Sequence, residues 1–126
     1  MRAVDTNVLV RLITKDDRRQ AAAAGEFIAN GAWVSHLALA GTAWVLESVY
    51  ERTPAEVAAA VEILLNHREL ILQDPDVVAA ALQVFSRWPA VGFSDCLMLE
   101  IARKAGHLPL GTFDRGLSRL DGTRKL

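Results

Sequence analysis

Three short β-like triplets, Arg2-Ala-Val, Ala32-Trp-Val and Leu70-Ile-Leu, are each followed by a stretch with helical spacing. A fourth extended stretch, Leu108 to Thr112, closes the series. Strands joined through helices run parallel, because the crossover returns the chain to the edge it left. The alternation therefore predicts an α/β domain with a mainly parallel sheet covered by helices on both faces. Helices are expected over Asn7–Thr14, Asp17–Asn30 and Leu37–Arg52, the second stopped by Asn30-Gly31. Thr53-Pro-Ala-Glu reads as a capping box with proline in the first turn, opening a helix to about Asn66. Asp74-Pro-Asp opens another to about Arg87, Gly106 stops one that begins at Ser94, and Arg115 to Leu120 forms a short last helix.

The chain has 126 residues, 52% hydrophobic and 23% charged, with no repeat or low-complexity tract, so a single domain over residues 1–126 is expected. Cys96 is alone and cannot form an intrachain disulfide. Asp5 interrupts any apolar leader, and the run Leu37 to Leu46 is about half of what a membrane-spanning helix needs. A soluble, cytoplasmic protein away from membranes is the expectation. The net charge of −1 supplies no global basic footprint, so any contact with a nucleic acid must be local.

Three aspartates stand at equivalent places in this pattern. Asp5 follows the first strand, Asp114 the last, and Asp95 opens a helix after Val91-Gly-Phe-Ser. An aspartate at such a junction ordinarily caps the helix, its carboxylate accepting from free backbone N–H groups. In a parallel α/β sheet, however, the carboxyl ends of the strands converge on one edge, where ligands bind. Three carboxylates gathered there repel one another, and a hard divalent cation with oxygen ligands relieves the repulsion. His36, His67 and His107 are too scattered for a zinc site and read as structural or surface residues.

Four segments carry a resemblance in order along the chain: Val4-Asp5-Thr6-Asn7-Val8-Leu9-Val10-Arg11, Leu39-Ala40-Gly41-Thr42-Ala43-Trp44-Val45-Leu46-Glu47, Phe93-Ser94-Asp95-Cys96 and Thr112-Phe113-Asp114-Arg115-Gly116-Leu117. Together they resemble PIN-domain proteins, most closely the VapC toxins of bacterial toxin–antitoxin pairs. The resemblance implies a three-layer PIN-like fold with about five strands and a Mg²⁺- or Mn²⁺-dependent endoribonuclease. It also implies a homodimer inhibited by a VapB-type antitoxin within a larger assembly. Asp5, Asp95 and Asp114 are then the catalytic and metal-binding acids, and RNA is the substrate.

One position departs from the family pattern Ala-Glu-Thr-x-Trp-Val-Leu: Gly41 stands where the fourth acid would be. Glu47 is a poor replacement, because six residues along a helix turn the side chain about 120° away. Its reading is a solvated helix charge. The loss of the acid is expected to leave a small void and to impair catalysis, or to leave a silent module that binds antitoxin without cleaving RNA.

Thr6, Asn7 and Thr112 could bond the carboxylates or a phosphate, and turn or cap chemistry explains them equally. Arg115 could reach a substrate phosphate or pair with a carboxylate. Arg115, Arg119, Arg124 and Lys125 make a local basic stretch suited to an RNA backbone or simply to water. Trp33, Trp44 and Trp88 lie amid apolar neighbours and are expected as core or interface anchors. A receiver domain or a haloacid-dehalogenase-type phosphatase is excluded. The first needs adjacent acids after the first strand, and the second an Asp where Asn7 stands.

Overall fold

The computed structural model describes residues Met1–Leu126. Five short strands and six helices follow one another as β1 (Arg2–Ala3), α1 (Thr6–Thr14), α2 (Arg18–Ile28), β2 (Ala32–Val34), α3 (His36–Ser48), α4 (Pro54–Leu65), β3 (Leu70–Leu72), α5 (Pro75–Arg87), α6 (Phe93–Ala105), β4 (Leu110–Thr112) and β5 (Thr123–Lys125). Every strand pairing is parallel. The α/β class and the order of the first six helices thus agree with the sequence reading, except that α3 stops four residues short of Arg52, and the expected last helix, Arg115 to Leu120, is only a 3-10 turn at Leu117–Arg119.

The sheet itself differs from expectation. A three-stranded sheet runs β1-β2-β3, and β4 pairs only with β5 in a separate two-stranded sheet. The expected sheet of about five strands is thus divided three and two. The polar strand β5, Thr123-Arg-Lys, has no counterpart in the sequence reading, since it carries no apolar signature.

Burial along β2 and β3 alternates with the period of two that a pleated strand imposes. Ala32, Val34, Leu70 and Leu72 face a core of 25 buried residues, which includes Leu39, Leu46, Val61, Leu64, Val78 and Leu97. Trp33 and Ile71, paired across the sheet, point the other way and stay 38% and 53% exposed. Helical covering of the sheet is therefore incomplete on that side.

The caps follow from the local sequence. Thr53 and Glu56 form the reciprocal capping box, each side chain accepting from the other's backbone N–H. That bond to the Thr53 amide is the main reason the Glu56 carboxyl sits below its usual range. Gly92 takes φ of +92°, which few side-chain-bearing residues tolerate, and lets α6 begin at Phe93, one residue earlier than expected. No helix is long and apolar enough to cross a membrane.

Candidate metal and nuclease site

Each predicted acid sits at a helix start, but the three are employed differently. Asp5 caps α1: its Oδ1 accepts from the Val8 N–H at 3.1 Å. Asp114 caps the turn after β4, its Oδ2 accepting from the Leu117 N–H at 2.7 Å. The Asp114 N–H in turn donates to Thr112 Oγ1 at 3.0 Å, so Thr112 serves the turn. The capping role that composition suggests is therefore real for both. Each carboxylate keeps its second oxygen for other work.

Asp95 is the exception. It lies in the first turn of α6, half-buried, and its carboxyl is pushed above the usual range first by burial and then by the charge of Asp114. No hydrogen bond or cation offsets either effect. Asp95 and Asp114 are thus two like-charged groups held within electrostatic reach. Two carboxylates with hard oxygen donors fit a small divalent cation that completes its shell with water. No three acids or histidines form one group compact enough to hold a single ion between them, so the structure does not bring Asp5 together with the pair.

The Gly41 neighbourhood overturns the expectation of a void. A β-carbon on Gly41 would stand 2.5 Å from Thr6 Oγ1. Thr6 occupies that space, donating its hydroxyl to the Ala38 carbonyl at 3.1 Å, where Thr42 also donates at 2.8 Å. Its role is therefore to tie α1 to α3, a contact the sequence reading missed because the partners lie 32 residues apart.

Asn7 is exposed beside Asp5, on the wall of a groove between α1 and α2. Arg115 is exposed and takes part in none of the chain's four ion pairs. Arg119, Arg124 and Lys125 are exposed as well. Glu47 is exposed at the rim of a cavity of about 160 Å³ that Asp95 also lines. The charge that raises the Asp95 carboxyl is that of Asp114.

Trp44, which lines the Asp95 cavity, is 63% exposed and Trp33 and Trp88 each 38%, so of the two roles expected for them, core or interface anchor, the core one is overturned. Cys96 is buried, and burial first, then the charges of Asp95 and Glu100, push its thiol up to about 11, so it is no thiolate at neutral pH. His67 accepts from the Glu69 N–H, and His36 keeps a buried Nε2 without a partner.

The sequence profile of the PIN domain matches residues 2–123. The chain belongs to the PIN domain family. Members of this family are generally metal-dependent nucleases, and the fold, the acid pair and the helix order of this PIN domain agree with that. Comparison with curated proteins and with solved structures returns no match.

Proposed function

We propose that this PIN domain is a Mg²⁺- or Mn²⁺-dependent endoribonuclease toxin of a VapBC-type toxin–antitoxin pair, weakened by Gly41. The observation that carries the reading is the uncompensated pair Asp95 and Asp114 at the start of α6 and the end of β4. A divalent cation there supplies an acidified water and neutralises charge growing on a phosphodiester.

The chain's own residues do the rest. Asp95 and Asp114 would hold the cation. Asp5 Oδ2 orients water from the α1 side. The free guanidinium of Arg115 takes a phosphate oxygen, and the exposed Arg119, Arg124 and Lys125 extend that contact along the RNA backbone. Asn7 faces the substrate, whereas Thr112 acts indirectly by fixing Asp114.

A cognate VapB-type antitoxin and a second copy of the chain are the partners of this reading. Leu37, 83% exposed on α3, and Trp44 offer apolar surface for such contacts. A cytoplasmic location follows from the same role.

A second reading has its own support. Thr6 fills the space of a side chain at position 41, which favours a chain that keeps its fold, and so its capacity to bind a partner, without the fourth acid. The test is cleavage of single-stranded RNA with Mn²⁺ or Mg²⁺ against a chelated control. Cleavage that needs the cation and disappears in both Asp95→Asn and Asp114→Asn supports the nuclease. A silent native chain with an active Gly41→Glu variant supports the binding module. Silence in both sinks the nuclease reading.

A further inference from the structure

A groove of about 460 Å³ runs between α1 and α2 and begins at Asp5. Val8, Ala23 and Phe27 give it apolar walls, and Gln20 and Arg11 give it a polar one. That polar wall is held in place. Arg11 Nε donates to Gln20 Oε1 at 2.6 Å, while its Nη1 donates to Asp16 and to the Tyr50 hydroxyl, each at 3.1 Å. Tyr50 in turn donates to Asp16 at 2.7 Å. With its oxygen taken, the Gln20 amide presents its NH₂ group to other partners. Phe27 is stacked under the Arg2 guanidinium at 4.0 Å from the ring centroid, which fixes the ring.

We propose that this groove is a base-binding subsite, which takes one unpaired nucleobase of a single-stranded RNA beside Asp5. The inference rests on the nuclease reading for the RNA itself. Its own basis is the groove's chemistry. A groove of ligand size, half apolar, bordered by an aromatic ring and edged by oriented amide and guanidinium donors, matches a base with a π-face and a hydrogen-bonding rim. Asn7, exposed between Asp5 and the slot, stands where base and sugar meet.

The test measures binding apart from cleavage. The probe is a fluorescein-labelled 2′-O-methyl hexaribonucleotide, followed by anisotropy without added metal, a condition under which the proposed water attack does not run. Ala23→Leu fills the slot from the exposed side of α2, and Phe27→Leu removes the aromatic face. Each is expected to weaken binding about ten-fold, the scale of one lost base-stacking contact. A probe with one abasic position at the right place should lose the same factor against the native chain and nothing further against Ala23→Leu. Circular dichroism melts of the variants check that they fold.

Equal binding by the native chain and a folded Ala23→Leu variant overturns the subsite and leaves the groove to a protein segment. So does a native chain that fails to bind the probe. Groove-dependent binding in a chain that never cleaves RNA keeps the subsite and removes the nuclease reading. Cleavage indifferent to both substitutions does the reverse.

Discussion

The Thr6 hydroxyl lies 2.5 Å from the point where a β-carbon on Gly41 would stand, so the two positions cannot both carry their substituents unchanged. Glycine inside α3 costs about 1 kcal/mol relative to alanine, and here the missing side chain is what admits Thr6. Gly41→Ala gains that propensity but turns the Thr6 hydroxyl off Ala38, a bond worth about 1 kcal/mol. The single substitution should therefore change stability by well under about 1 kcal/mol in urea unfolding, since the two effects nearly cancel. In a Thr6→Ala background the same substitution should stabilise by about 1 kcal/mol, a coupling that a double-mutant cycle reads directly. Additive effects would show that the two residues do not compete for space.

Gly41→Glu places a fourth acid on α3. Its effect on RNA cleavage should be a rise of about 10²-fold or more, the lower end of what a positioned proton-transfer group contributes. Because the glutamate needs Thr6 to turn aside, Thr6→Ala combined with Gly41→Glu should cleave at least as fast as Gly41→Glu alone. Glu47→Gln should change the rate little, since Glu47 stands about 120° round α3 from position 41. Single-turnover rates with Mn²⁺ decide all three.

Mn²⁺ should raise the thermal midpoint, because a cation that binds only the folded arrangement stabilises it by mass action, about 2.7 kcal/mol at a hundred times its Kd. Asp95→Asn should abolish the shift. Asp5→Asn should keep most of it, and the variant should fold normally, since asparagine caps a helix about as well as aspartate. A shift that survives Asp95→Asn would place the ion elsewhere.

Asp95 also sets a pH dependence. Its folded-state carboxyl lies above the unfolded value, so the folded chain holds its proton to higher pH than the unfolded chain does. Stability from this group is present below the ordinary carboxylate range and is lost as pH rises from there through the raised value. Above that window Asp95 is ionised, half-buried and beside Asp114. In metal-free buffer, Asp95→Asn should therefore raise the melting temperature by a few degrees at neutral pH, on the order of what a modest surface-edge effect produces. The gain should vanish in melts run below the ordinary carboxylate pKa.

Local signals made most of the helices legible in the amino-acid sequence. The Thr53-Pro-Ala-Glu box and the Asn30-Gly31 and Gly106 stops act over a few residues, and each lies where the sequence pattern puts it or within two residues. The separation of β4 and β5 from the first sheet depends on pairing between distant segments, which no local pattern encodes. Strand β5 is illegible in the sequence because Arg124 and Lys125 give no apolar alternation. For the site, the acids stand out by their place after strands. Two things stay hidden at that level: that Asp95 alone lacks a hydrogen-bonded employment, and that Thr6 fills the space beside Gly41. Both are contacts across the fold.

The division of the strands bears on the site in a further way. Asp5 leaves one sheet and Asp114 leaves the other, and no backbone ladder joins β1 to β4. Leu117 and Leu120, buried in the common core, and the Arg103 guanidinium on the Asp121 carbonyl at 2.9 Å tie the Asp114 segment to the rest of the chain in place of a ladder. The two carboxylates thus belong to halves joined by side chains, as across a joint. Trimming Leu120 would slacken that joint while leaving both acids in the sequence untouched.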